Sequence, residues 1–158
     1  MPSTIAHAVS ASLIALTAAH IAPDETPYLL AAVTAASLPD LDHPIIVIKH
    51  QTLYRRIGYN GNLHWARSVY HELFGLLVFG ALCLPLLLVD QNLARVMFVA
   101  FAIHLAQDWV MGKSYPLAPI DRTEVQFYSL TFKQKVLADA ILIMVFGVAW
   151  LLYLSGRL

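Results

Sequence analysis

Histidine and aspartate recur in this chain where bilayer-compatible sequence should exclude them. His7, Asp40, Asp42, His43, His71, His104, Asp108 and Asp139 all lie inside, or at the ends of, strongly apolar segments. An ionisable group at membrane depth costs roughly 2.5–3.5 kcal/mol on insertion scales. Eight of them, of only two types, point to a site that binds a divalent metal or moves protons. His104 and Asp108 are spaced i, i+4, which stacks them on one helical face. In Asp40-Leu41-Asp42-His43 two carboxylates and an imidazole flank one leucine. Mixed imidazole and carboxylate donors suit Zn²⁺ first, with Mn²⁺ or Fe²⁺ as alternatives, whereas Ca²⁺ takes oxygen alone. Such a cation can activate water for hydrolysis when one coordination position stays open.

The elements that must position these residues are hydrophobic helices. The chain has 158 residues, 59% of them hydrophobic and 13% charged, where a soluble domain carries about 25% charged residues. This predicts an all-α integral membrane bundle formed by residues 1–158 as a single domain. Five apolar segments are expected: Ser3–Ala22, Tyr28–Leu38, Ser68–Val89, Leu93–Met111 and Val136–Leu154. A spanning helix needs about 20 residues, so four qualify and the second is short or broken by Pro39 and Pro44. No Lys or Arg precedes Lys49, so the first segment reads as a retained helix rather than a signal peptide. The ten basic and ten acidic residues cancel, leaving no field that would recruit nucleic acid. The lone Cys83 has no intrachain partner.

If each segment crosses once, Lys49, Arg55, Arg56, Arg67, Lys113, Arg122, Lys133 and Lys135 share one side, and only Arg95 and Arg157 lie on the other. The positive-inside rule puts the first side in the cytoplasm. The same parity places all the His and Asp residues named above toward that side, although they come from five segments. Taken singly, each has an ordinary explanation as a helix cap, a hydrogen-bonded pair or an interfacial side chain, and Asp139 is the weakest member. Their convergence on one side argues for a site.

The ordered series Ser37-Leu38-Pro39-Asp40-Leu41-Asp42-His43-Pro44, Arg67-Ser68-Val69-Tyr70-His71-Glu72-Leu73, and His104-Leu105-Ala106-Gln107-Asp108 followed by Tyr115-Pro116-Leu117-Ala118-Pro119 resembles the YdjM-like inner-membrane proteins, described as predicted metal-dependent hydrolases. The resemblance covers nearly the whole chain. It implies that His7, Asp40, Asp42, His43, Arg67, His71, His104, Asp108 and Asp139 are the matching site positions. The family's His-Arg-Gly is Ala66-Arg67-Ser68 here, and its Thr-His-Ser is Tyr70-His71-Glu72. His64, two turns before His71 if one helix holds both, stands as a substitute for the missing histidine.

The resulting expectation is a bacterial-type inner- or plasma-membrane hydrolase acting on phosphoester or ester bonds of lipid-like substrates. Asp42 or Glu72 would act as general base, and His64 and Arg67 would bind an anionic substrate group. The alternatives are a non-catalytic metal-binding scaffold in the membrane and a metal or proton transporter. The transporter needs polar residues continuing to the far side, where only His20 is available.

Overall fold

A computed structural model of the chain describes residues 4–41, 48, 68–128 and 130–158. The fold is all-α: α1 (Thr4–Ala18), α2 (Thr26–Ser37), α3 (Leu73–Cys83), a short α4 (Leu86–Val89), α5 (Gln91–Met111) and α6 (Phe132–Leu154). Among the described residues two 3₁₀ turns, Leu38–Leu41 and Val69–His71, stand after α2 and before α3. A two-residue antiparallel ladder pairs β1 (Lys113–Ser114) with β2 (Val125–Gln126).

Small residues bring the central helices together. Ala6, Ala11 and Ala15 of α1, Ala32, Ala35 and Ala36 of α2, and Ala94 and Ala100 of α5 are all buried. Between helices in lipid, such residues allow backbones to approach closely. The hydroxyls on α1 are satisfied within the helix: Ser10 Oγ donates to Ala6 O at 2.6 Å and Thr17 Oγ1 to Leu13 O at 2.9 Å. Larger contacts complete the core, with Leu16 and Leu105 buried and Phe79 stacked on Phe101 at 4.2 Å.

The helix ends differ from the sequence expectation for identifiable reasons. α1 stops at Ala18 instead of running to Ala22, because His20 takes a left-handed conformation (φ 56°). His20 N–H then donates to Thr17 O at 3.1 Å and Ile21 N–H to Leu16 O at 3.0 Å, which closes the helix with a Schellman-type cap. The expected helix over 68–89 is broken twice. Glu72 is extended (φ −118°, ψ −177°), so the α-helix begins at Leu73, and Pro85, which cannot donate a backbone hydrogen bond, separates α3 from α4. Among the described residues two helices, α5 and α6, are therefore long and apolar enough to cross a membrane, rather than the four expected, while α1 and the Leu73–Val89 segment are shorter.

The remaining helices begin two to four residues before the expected positions. Pro27 lies in the first turn of α2, where its missing N–H costs nothing. Asp90 Oδ1 accepts from Leu93 N–H at 2.9 Å and starts α5. Thr131 and Gln134 form a capping box at the start of α6, the reciprocal arrangement that satisfies two otherwise unpaired donors.

Candidate metal centre

Four segments deliver polar side chains to one end of the bundle. His7 comes from the first turns of α1, and Asp40 from the 3₁₀ turn after α2. His71 comes from the 3₁₀ turn before α3, and His104 and Asp108 from the second half of α5. All five are buried, four of them at 1% exposure or less and Asp40 at 9%. Two overlapping groups, His7–Asp40–His104 and His71–His104–Asp108, each bring one donor atom per residue within 4.8 Å of the others.

His104 is the hub. Its Nδ1 lies 2.6 Å from Ala36 O, so that nitrogen carries the proton and the Nε2 lone pair faces the carboxylates, a tautomer assigned from the hydrogen-bond geometry. The carbonyl is available because α2 passes into 3₁₀ geometry at Leu38, where the α-helical i→i+4 bonding that would claim it ends. From Nε2, Asp40 Oδ1 is 3.6 Å and Asp108 Oδ2 3.8 Å away. His71 Nε2 is 3.5 Å from Asp40 Oδ1. The His7 ring meets His104 edge-on with centroids 4.3 Å apart, and its Nδ1 is 3.2 Å from His104 Nε2. His7 Nε2 stands 4.0 Å from Asp108 Oδ1.

These spacings fit a cation. The His–Asp separations of 3.5–4.0 Å exceed the roughly 2.7–2.9 Å of a charge-assisted hydrogen bond. They suit donors arranged around one ion with bonds of about 2.0–2.2 Å. With Nδ1 committed to Ala36, His104 offers both groups the same nitrogen and its single lone pair. A cation held through that nitrogen would therefore be common to both groups. A backbone carbonyl that fixes the outer nitrogen of a ligating imidazole is also the usual support for such a ligand.

Glu72, the other candidate general base, makes a structural contact. It is 2% exposed, and its Oε1 accepts the Tyr115 N–H at 2.9 Å. Leu73 N–H donates to Pro116 O at 3.3 Å beside it. The Tyr70-His71-Glu72 and Tyr115–Pro119 motifs thus meet, and the glutamate ties the loop after α5 to the turn that carries His71. Asp139 is half-buried on α6 and is not a member of either donor group.

Asp42, His43, His64 and Arg67 lie outside the described residues. The helix expected to place His64 and His71 on one face does not pass through His71, since Ser68 and Glu72 are both extended.

Sequence reasoning missed three supports. Besides Ala36 O, Gln107 Nε2 donates to Ser10 Oγ at 2.8 Å and links α5 to α1 beside the cluster. Gly75 is the third: a Cβ there would lie 1.9 Å from Tyr70 O, so only glycine lets α3 approach the turn bearing His71. Gln107, a polar residue next to Asp108 at membrane depth, carried a signal that could have been read. A carbonyl carries none.

The sequence matches the family described as YdjM inner membrane protein over residues 1–157. No curated protein and no solved structure matches the chain.

Proposed function

The chain belongs to the YdjM inner membrane protein family, and from that premise we propose that the His/Asp cluster is the centre of a metal-dependent hydrolase acting on phosphoester or ester bonds of lipid-like molecules. The observation that carries this reading is the meeting of five buried donors from four separate segments at spacings suited to a cation. His7, Asp40, His71, His104 and Asp108 would hold the ion, with Zn²⁺ preferred for a donor set of three imidazoles and two carboxylates. When bound, it would supply Lewis acidity and lower the pKa of water.

The chain's own residues would do the rest. Ala36 O keeps His104 in one tautomer, and Glu72 holds the 115–119 loop against the His71 turn. Asp42 is proposed to accept the proton from the attacking water. Arg67 and His64 are proposed to hold the anionic group of the substrate, Arg67 by a bidentate contact. An apolar groove of about 340 Å³ starts at Leu38, Pro39 and Tyr70 and continues along Val78 and Leu82 of α3. Pro39 and Tyr70 directly precede Asp40 and His71, so a hydrocarbon chain lying there would end at the cluster. This supports a lipid-like substrate.

The bias of eight basic residues against two supports a cluster facing the cytoplasm. Cysteines introduced at Asn60 and Ser155, after replacement of Cys83, should then label from opposite sides. Labelling from the same side would remove that orientation.

Metal analysis and phospholipid hydrolysis, measured on detergent-purified wild type and Asp108→Ala, test the whole proposal. The wild type should hold about one divalent ion per chain and release product, and the variant should lose both. Bound metal without turnover on phosphoester or carboxylester lipids would favour a non-catalytic scaffold. Metal-free wild type with full helicity would end the metal reading.

A further inference from the structure

At the other end of α5 lies a second apolar groove that the cluster does not use. Pro85 interrupts the segment that packs on α5, and beside the break a space of about 520 Å³ opens, lined by Leu77, Ala81, Leu84, Leu87, Phe98 and Arg95. Gly80 shapes its floor: a Cβ there would come within 3.1 Å of the Phe98 ring, so the glycine lets the ring lie close to α3. The lining is exposed, with Leu77 at 64% and Leu84 at 61%. In a bilayer these surfaces face hydrocarbon.

Arg95 does not belong to an ordinary apolar face. It is exposed and forms no ion pair or hydrogen bond among the described residues. The neighbouring carboxylate, Asp90, is already engaged by Leu93 N–H and by the Tyr28 hydroxyl at 2.7 Å. A guanidinium at the mouth of a hydrocarbon-lined groove is complementary to one class of molecule, an anion with an apolar tail. Arginine pairs with a phosphate through charge-assisted hydrogen bonds.

We propose that this groove is a binding site for an anionic glycerophospholipid, with its phosphate on Arg95 and one acyl chain against Leu84, Ala81 and Leu77. The site is separate from the metal centre. Arg95 and His104 are nine residues apart on one helix, about 13 Å along the axis. It does not depend on any hydrolase activity.

Native mass spectrometry of the full chain, released from micelles containing equal phosphatidylglycerol and phosphatidylcholine of identical acyl composition, tests this directly. The wild type should retain one phosphatidylglycerol with roughly fivefold preference, the worth of one basic residue at an anionic surface. Arg95→Gln should abolish the preference, while Arg95→Lys keeps most of it. Ala81→Trp, which fills the groove from an exposed position, should lose both lipids while matching wild type in circular dichroism and elution volume. Equal retention of the two lipids by wild type would overturn the proposal, as would an undiminished preference in Arg95→Gln. A dimer that forms as lipid is lost would assign the groove to a second copy of the chain instead.

Discussion

α5 and α6 are both long enough to cross a bilayer, yet 39% of the most apolar stretch of α5 is buried inside the protein against 6% for α6. α5 threads between α1, α2 and α3 and carries His104 and Asp108 in its buried face. α6 lies against α1 and exposes Leu137, Ile141, Met144, Val148 and Leu151. Its contacts include hydrogen bonds to main-chain carbonyls from Trp150 Nε1 to Val9 O and from Tyr153 Oη to Ile21 O, both 2.8 Å. Both are apolar enough to span, although the mean hydropathy is 2.3 for α6 and 1.3 for α5. What separates them is that intramembrane imidazoles and carboxylates demand protein on every side, so polar content decides which long helix becomes central.

The largest expected effect falls on α5. Replacing His104 with alanine removes the shared donor and leaves Asp40 and Asp108 buried without it. Metal content should fall to background, and stability should drop by about 3–5 kcal/mol, as when one partner of a buried charged set is removed. Metal analysis together with thermal unfolding checks this. A variant that kept its metal would show that His104 is not the hub.

Two glycine substitutions sharpen the contrast. Gly75→Ala forces a methyl group into the Tyr70 carbonyl and should shift the turn carrying His71. Metal affinity should fall about 10–100-fold, the usual effect of disturbing a ligand's support, as read by chelator competition. Gly147→Ala on α6 meets nothing within 4 Å and should leave metal affinity unchanged. It should stabilise the helix by about 0.5–1 kcal/mol.

Tyr153→Phe should cost about 1 kcal/mol for one lost hydrogen bond without altering metal content, measured by the same unfolding and metal assays. Loss of metal here would mean that α6 supports the cluster after all.

The smallest effect is expected at the turn before α5. Leu93 N–H, then the Tyr28 hydroxyl, hold the Asp90 carboxyl below the usual aspartate range. A depressed folded-state pKa means that the contribution is fully present above the unfolded value of about 3.9 and is lost as pH falls through the folded value. The difference in melting temperature between wild type and Asp90→Asn should therefore be present at neutral pH and shrink in strong acid. A difference that grew on acidification would reverse the sign.

How much of this was legible depended on what kind of group did the work. His7, Asp40, His71, His104 and Asp108 could be singled out because each is the wrong residue type for its surroundings, and the structure brings these five together. The apolar segments were visible from composition, and α5 and α6 lie close to where hydropathy put them. The end of α1 was not visible, because an unusual backbone angle at His20 leaves no mark on hydropathy. Its type and its neighbour His71 mark Glu72 as a candidate base. Its hydrogen bond to Tyr115, 43 residues away, is a tertiary fact that no local pattern contains. The role of Ala36 was beyond reach for the same reason, since its contribution comes from main chain freed by the turn into 3₁₀ geometry.

The peripheral position of α6 has a consequence for biosynthesis. Proteins are made from the N-terminus, and early parts can fold while later ones are still being added. Asp108 is the last of the five convergent donors, and it precedes the first residue of α6, Phe132. A ribosome that has released α5 into the membrane has therefore delivered every described donor, the Ala36 carbonyl and the Gln107–Ser10 link. α6 arrives afterwards to lie along α1, so the polar end of the bundle can be sealed from lipid before the chain is finished.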